Sequence, residues 1–380
     1  MSTPTILLSA GEPSGDLHGA AVARELKRRW PSARLFGLGG PRMAEEGVEL
    51  LADLRDLAVM GFAEVAGRLP FFFKLFRRLR DEMASRGADL VLPIDYPGFN
   101  LRLAGAARAS GIPVLYYIAP QVWAWHRSRI RRLAEETDRL AVVLPFEEPI
   151  FREAGAQVRF VGHPLLDAAP QVTGREEFCA AHGLDPERPV LALFPGSRAQ
   201  EVARHLDIFV EAAELLRRRR PGLQPVIAAS GAVAAHAYDR APYPETGDSR
   251  ALLAHATAAL VKSGTTTLEA ALAGTPMVIA YRTSRLTYAL AKRLVRVDHI
   301  GLVNLVAGER LVPEFIQDEA TPAALADALD PLLDPGSPRR GSVVAGLERV
   351  RAALAPTDGR PPGAAARVAE LAEELLGAAA

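Results

Sequence analysis

The first half of the chain alternates short, wholly apolar runs with stretches of helical period. "TILLSA" (5–10) reads as a buried strand, and the "GEPSGDLHGAAVARELKRRW" that follows reads as a turn and a helix. "RLFGLGG" (34–40), "ADLVLPID" (88–95), "IPVLYYIA" (112–119), "RLAVVL" (139–144) and "QVRFVGH" (157–163) continue the series. Strands without polar alternation are buried on both faces, and helices between them imply a parallel sheet covered on both sides. The pattern then restarts. "PVLALFPGSR" (189–198), "QPVIAAS" (224–230), "AALVKS" (258–263) and "PMVIAYR" (276–282) supply further strands, with a long helix after the first. The expectation is an α/β protein of two doubly wound halves, residues 1–165 and 179–345, joined by a polar linker at 166–178. The Ala-rich closing helix (362–380) is expected either to return to the first domain or to exchange with a partner, which leaves a homodimer open.

Composition narrows the class. A chain of 380 residues exceeds what one hydrophobic core usually serves, in keeping with two domains. The 45 basic and 45 acidic residues cancel, which argues against nucleic acid as the main partner. Cys179 is the only cysteine, so no internal disulfide and no multi-cysteine metal site can form, and a reducing compartment is expected. The start "MSTPTILLSAGEPSG" lacks the basic opening and long apolar run of a secretory signal, and no apolar stretch approaches a membrane-spanning length. A cytoplasmic location is expected.

Ligands of an open parallel sheet bind beyond the carboxyl ends of its strands, so the strand-to-helix turns are where chemistry is sought. In "SAGEPSGDLHG", Gly11 and Gly15 allow close backbone approach, and the helix start offers unpaired N–H groups to an anion. The spacing is not that of a dinucleotide fingerprint, which disfavours a hydride-transfer cofactor. The plain alternative is a cap by Ser14 or Asp16. Glu12 is unusual for a mere turn, whereas His18 reads as a surface or packing histidine and is given no role. In "FPGSRAQE", Gly196, Ser197 and Arg198 resemble a phosphate grip of backbone donors and a guanidinium. Alternatively Ser197 simply caps the helix. A cation at a helix start opposes the macrodipole unless an anion or carboxylate sits beside it.

"VKSGTTTLEAALAGTP" admits two readings at once. Thr266 and Glu269 match a capping box, while Ser263, Gly264, Thr265 and Thr266 together make a nest of N–H and O–H donors suited to a diphosphate. In "LPIDYPGFN", Asp95 ends an apolar strand; a carboxylate near low-dielectric walls has raised proton affinity and suits a general base. A turn-initiating aspartate is the bland alternative. "RLPFFFKLFRRLRDEM" (68–83) puts Phe72, Leu75, Phe76, Leu79 and Met83 on one helical stripe, flanked by Phe71 and Phe73, with Lys74, Arg77 and Arg78 opposite. An interfacial helix on anionic lipid has this make-up, and so does an amphipathic helix packed on its own sheet.

Ten segments then carry a family resemblance: "GEPSGDLHGA", "GGPRM", "LAVMGFAEV", "IDYPGFN", "YYIAPQVWAWHRSRI", "LPFE", "FVGHPLLD", "LFPGSRAQEV", "SGTTTLEAALAGTPMVIAYR" and "GLVNLVAGERLVPEFIQ". In this order the chain resembles the lipid-A-disaccharide synthases, inverting glycosyltransferases of the lipid A pathway. The resemblance implies two Rossmann-like domains facing a cleft (the GT-B fold), with UDP held mainly by the second. It implies a UDP-2,3-diacylglucosamine donor, a 2,3-diacylglucosamine 1-phosphate acceptor, and peripheral association with the cytoplasmic surface of the inner membrane; no D-x-D-type carboxylate pair is present and an arginine with a helix N-terminus can serve a diphosphate, so no metal or cofactor is expected. Carried over by motif, Asp95 is the candidate base and Glu12 shapes the acceptor or catalytic site. Arg198 binds the diphosphate, Asn304 lines the donor site, and Glu269 accepts from ribose hydroxyls. The Phe-rich segment, Phe71 to Arg78, falls where the family is expected to touch the membrane. The stretch "VAAHAYDRAPYPETGDS" replaces a longer helical one, so contacts to uracil stay unassigned. Two rival readings are a UDP-N-acetylglucosamine 2-epimerase on the same fold and a non-catalytic lipid-binding protein at the membrane surface.

Overall fold

The computed structural model describes residues 3–54, 69–125, 127–167, 172–294, 298–359 and 363–378. Outside them lie "LAVMGFAEV" (57–65), His126 of "YYIAPQVWAWHRSRI", part of the expected linker (168–171), and residues 360–362 before the last helix. The chain divides into two compact units, Met1–Asp167 with Leu354–Ala380, and Ala168–Ala353.

The first unit runs β1 (Thr5–Ala10), α1 (Pro13–Arg29), β2 (Arg34–Gly39), α2 (Pro41–Glu45), β3 (Val48–Asp53), α3 (Leu69–Ser85), β4 (Leu90–Ile94) and α4 (Pro97–Ala109). It continues through β5 (Leu115–Tyr117), α5 (Val122–Trp125), α6 (Arg127–Glu136), β6 (Arg139–Val142), α7 (Glu147–Glu153) and β7 (Val158–Phe160). The strands form one parallel sheet in the order β3-β2-β1-β4-β5-β6-β7. Ile6, Leu7, Leu8, Leu90, Val91 and Leu92 are fully buried, as runs without polar alternation require, and burial of each contributes roughly 2 kcal/mol.

The second unit carries α8 (Arg175–Ala181), β8 (Val190–Phe194), α9 (Ala199–Arg219), β9 (Gln224–Ala228), β10 (Glu245–Thr246), α10 (Ser249–His255), β11 (Ala258–Lys262), α11 (Thr266–Leu272) and β12 (Met277–Tyr281). Then come α12 (Arg285–Leu294), α13 (Leu302–Ala307), β13 (Glu314–Ile316), α14 (Pro322–Leu329) and α15 (Pro338–Ala353). Its parallel sheet has the order β10-β9-β8-β11-β12-β13. Cys179 is buried in α8.

The closing helix α16 (Ala364–Ala378) packs on α1 of the first unit. Asp167 accepts the Ala364 and Ala365 N–H groups at its start (3.0 and 3.3 Å), and Arg159 pairs with Glu374 at 2.9 Å.

Both sheets reverse strand order once. In the first unit β2 and β4 flank β1; in the second, β9 and β11 flank β8. Those reversals leave crevices at the carboxyl ends of β1 with β4 and of β8 with β11.

Candidate active site

In the first unit the crevice is lined by acids. Glu12 follows β1 and is exposed; Asp95 follows β4 and is half-buried. Burial first, and the Glu12 charge second, push the Asp95 carboxyl up to about 6. The turn holding it is strained, because Asp95 and Tyr96 are successive non-glycine residues at φ 47° and 53°. Left-handed backbone there costs about 1–3 kcal/mol per residue and persists only when its surroundings over-determine it.

Those surroundings are specific. The Asp95 carbonyl accepts from Asn100 Nδ2 (2.8 Å) and from the Tyr116 hydroxyl (2.7 Å). Fully buried Asn100 also donates to the carbonyls of Ser9 (2.9 Å) and Ile94 (3.2 Å), and accepts from Ser9 Oγ at 2.6 Å. Gly11 is required by the same turn: a Cβ there would lie 2.2 Å from the Tyr96 ring.

Two further groups bear on this crevice. Glu147, at the start of α7, is fully buried and accepts from Trp123 Nε1 (3.0 Å) and Leu144 N–H (3.1 Å). Burial pushes its carboxyl up to about 7 despite those donors, and the Asp95 charge adds to the rise. It ties α5 to the carboxyl end of β6, where the Trp123 and Phe146 rings meet edge to face at 4.9 Å. His18 on α1 and His163 beyond β7 are both held down at about 4 by burial.

The second unit's crevice is built from compensated charges. Gly196 sits at φ 139°, and a Cβ there would lie 2.4 Å from Glu201 Cβ, so the turn closes onto the first turn of α9. Glu201 accepts from Ser197 N–H (3.0 Å), pairs with Lys262 at 2.8 Å, and lies 3.5 Å from Arg198. Arg198 is the N-cap of α9 with its side chain 72% exposed, whereas the Lys262–Glu201 pair is largely covered. Below it His205 donates from Nδ1 to the Glu201 carbonyl (2.7 Å) and accepts the Arg282 N–H at Nε2 (2.8 Å). Beyond β11, no protein acceptor is found among the described residues for the N–H groups of Gly264, Thr265 and Thr266 or for the hydroxyls of Thr265 and Thr266.

Several expectations are corrected. Thr265, not Thr266, is the N-cap of α11, and no side chain caps it; Glu269 stays half-buried, its carboxyl's proton affinity raised by burial and making no hydrogen bond among the described residues. Its helix is instead closed by Thr267 Oγ1 donating to the Gly264 carbonyl at 2.8 Å. Ser263 spends its hydroxyl on the Ile300 carbonyl (2.8 Å). Ser197 and Ser14 cap nothing, and Asp16 caps α2 rather than its own helix by accepting from Gly40 (2.8 Å) and Met43 (3.0 Å). The carboxylate beside Arg198 is Glu201, so the macrodipole argument needs no ligand there. Asn304 is fully buried, donating to Val312 O (2.9 Å) and Glu314 Oε1 (2.8 Å) and accepting from Val312 N–H (3.0 Å). It supports the start of α13 from inside the core, where its side chain presents nothing to a ligand.

On α3, Leu75, Leu79 and Met83 are core residues, with Phe72 and Phe76 half-buried against them. Ordinary packing therefore accounts for the stripe. Phe71, Phe73, Lys74, Arg77 and Arg78 are exposed, Arg78 donating to the Leu51 carbonyl at 2.7 Å. The Phe76, Phe99 and Tyr96 rings form a relay (6.1 and 6.2 Å) from α3 to the strained turn.

The family model for lipid-A-disaccharide synthetase matches residues 6–355. A lipid-A-disaccharide synthase of Geobacter sulfurreducens is 44% identical over 389 residues, covering 98% of this chain and 97% of the relative. The chain belongs to the lipid-A-disaccharide synthase family. It is a glycosyltransferase of lipid A biosynthesis, and the epimerase and lipid-binding readings are not favoured. Another relative so named, from Syntrophus aciditrophicus, is 42% identical with 99% of both chains covered. The calicheamicin glycosyltransferase CalG4 shares the fold at a TM-score of 0.63 and 19% identity, with both chains covered in full. The two parallel-sheet domains are thus those of a GT-B glycosyltransferase, as the motif order implies. Among the described residues no group of three or more His, Cys, Asp and Glu is placed to hold a metal ion, and no helix is long and apolar enough to cross a membrane.

Proposed function

We propose that the protein transfers 2,3-diacylglucosamine from UDP to the 6-hydroxyl of 2,3-diacylglucosamine 1-phosphate. The products are a β(1→6) disaccharide 1-phosphate and UDP. Asp95 is the base. One observation carries this assignment: a carboxyl raised to about 6 by burial and the Glu12 charge, on a strained turn at the sheet reversal. At neutral pH such a group is ionised yet more basic than an ordinary aspartate, as removing a proton from an alcohol in flight requires. Glu12 sustains that affinity and shapes the acceptor side.

Departing UDP builds negative charge on its diphosphate. Arg198 and the donors of Gly196, Ser197, Gly264, Thr265 and Thr266 offset it as it develops, with Ser263 fixing the turn. Glu269 has no cap to serve and accepts from the ribose hydroxyls. Direct displacement inverts the anomeric centre, giving a β-linkage from an α-donor. Exposed Phe71 and Phe73 with Lys74 and Arg77 contact the cytoplasmic surface of the inner membrane, where acylated substrates reside. The test is a turnover assay with acylated donor and acceptor, reading disaccharide and UDP by mass spectrometry. Folded protein that forms neither product overturns the reading, and isomerisation of UDP-N-acetylglucosamine alone would replace it with the epimerase.

A further inference from the structure

We propose that Glu147 is a positioning residue for the transfer: through Trp123 it fixes the exit of β5 as the wall beside Asp95 on which the acceptor is set. The inference rests on the acceptor reading above. Three neighbouring strands leave the first sheet at this place. Ile94 pairs with Tyr117 and Tyr117 with Ala141, so Asp95, Ile118 and Val142 stand side by side at the next level. The Asp95 N–H donates to the Tyr117 carbonyl and the Ile118 N–H to the Ala141 carbonyl, both at 3.0 Å. At a strand spacing of about 4.8 Å, the exit of β6 lies about 10 Å from Asp95, with the exit of β5 between them.

Ile118 repeats the strain of Asp95. Its φ is 60°, next to Asp95 at 47° on the adjoining strand. A β-branched residue in left-handed backbone is an outlier, and such strain persists only where the surroundings over-determine it. Asn100 and Tyr116 hold the Asp95 carbonyl. On the β5 side it is the segment after Ile118 that is held. Val122 N–H donates to the Pro120 carbonyl (2.6 Å), Ala119 and Trp123 are buried, and Trp123 Nε1 donates to Glu147 Oε1 at 3.0 Å.

Glu147 divides its two oxygens. Oε2 accepts the Leu144 N–H (3.1 Å) while the Glu147 N–H returns to the Leu144 carbonyl (3.1 Å), a reciprocal pair that closes the turn after β6. Oε1 is left for Trp123, on a different element. Among the described residues the carboxyl has no ion-pair partner, and a fully buried carboxyl without a cation is costly. Closing the turn takes one acceptor. The second oxygen gives the indole a fixed direction, which an apolar side chain of the same size would not. Phe146 meets the same ring edge to face at 4.9 Å. The β5 exit is thereby tied to the β6 turn, and an acceptor presenting its 6-hydroxyl to Asp95 has a wall that does not give way.

The test compares Glu147→Gln, Trp123→Phe and the double variant in the full-length protein. Glutamine keeps the volume and one acceptor but meets the other N–H with a donor, so one of the two bonds is lost. Each single change is expected to lower kcat about tenfold, as the acceptor hydroxyl leaves its line to Asp95, while UDP affinity by calorimetry stays within about twofold. The double variant is expected to lose about tenfold as well, because both changes break one contact. Unchanged kcat in either single variant, losses that multiply to about a hundredfold, or a parallel loss of UDP affinity overturns the proposal. Should the variants fold poorly, the wild type decides. With 5-fluorotryptophan at its three tryptophans, assigned by Trp30→Phe and Trp125→Phe, the Trp123 resonance is expected to move when detergent micelles gain 2,3-diacylglucosamine 1-phosphate and to stay when UDP is added. A Trp123 signal indifferent to the acceptor also overturns the proposal. A wild type that forms no disaccharide sinks the acceptor reading itself, whereas a wild type that turns over at a rate Glu147→Gln leaves unchanged sinks this proposal alone.

Discussion

The two sheet reversals share a topology and differ in charge. Beyond β1 and β4 stand Glu12 and Asp95, two carboxylates that repel each other and have no cation among their hydrogen-bonded partners in the described residues. Beyond β8 and β11 stand Glu201, Lys262 and Arg198, in which a covered ion pair satisfies the carboxylate and leaves a guanidinium and several N–H groups outward. The first arrangement stores proton affinity; the second stores positive potential without storing repulsion. On the function proposed above, the first would collect a proton and the second would receive a leaving diphosphate. The difference lies in what each crevice leaves unneutralised.

Removing the stored proton affinity has the largest expected effect. Asp95→Asn keeps size and turn geometry and is expected to lower kcat by about 1,000-fold, within the range of general-base effects, while UDP affinity by calorimetry stays within about twofold. A loss confined to UDP affinity would place the base elsewhere.

Next in size is the support beneath Asp95. Asn100→Ala removes donors from the Ser9, Ile94 and Asp95 carbonyls and the acceptor from Ser9 Oγ, all in a buried setting. A loss of about 3 kcal/mol in unfolding free energy is expected from the groups left unsatisfied, read from denaturant midpoints. A change below about 0.5 kcal/mol, the scale of a neutral surface substitution, would mean that Tyr116 alone holds the strained turn.

On the other side, Arg198→Ala is expected to weaken UDP binding about tenfold, the loss of one charge-assisted contact from an exposed side chain. Lys262→Ala removes the cation from a covered pair, so it is expected to lower thermal stability as well as affinity. If Arg198→Ala leaves UDP affinity unchanged, the N–H nest alone holds the diphosphate.

Much of this was legible in the sequence, and what was not has physical reasons. Central strands such as "TILLSA" and "PVLALF" announce themselves because burial on both faces forbids polar residues. The strands sequence reading missed, β3 "VELLAD", β10 "ET" and β13 "EFI", are edge strands with one side solvated, and their patterns are short and mixed. Asp95 and Glu12 stood out, and fall at the carboxyl ends of β4 and β1, because an acid directly after a buried strand is costly without purpose. Asn100 and Tyr116 were not, since their value lies in meeting one carbonyl from different elements. Glu147 and Trp123 are 24 residues apart and meet only in the fold. Thr266 to Glu269 misled for the opposite reason: the local spacing fits a capping box, but no side chain caps the start of α11. Asn304 was expected to line the donor site, but its side chain is buried against Val312 and Glu314, because a motif position does not say whether a side chain faces the crevice or the core.

The finest test separates the two causes of Asp95's proton affinity. Burial is the larger and Glu12 the smaller. As the proposed base Asp95 would have to be ionised, so kcat/KM for the wild type is expected to rise with pH through about 6, the value to which its carboxyl is raised. Glu12→Gln removes a negative neighbour, which makes the ionised form of Asp95 less costly. The acidic limb therefore moves to lower pH, and the variant holds relatively more activity below the wild-type midpoint. On the plateau the same change makes Asp95 a weaker base, so the limiting rate falls slightly. A limb that stays in place with the plateau unchanged would mean that solvent screens exposed Glu12 from Asp95, and that the acidic crevice owes its basicity to the dry wall behind β4 alone.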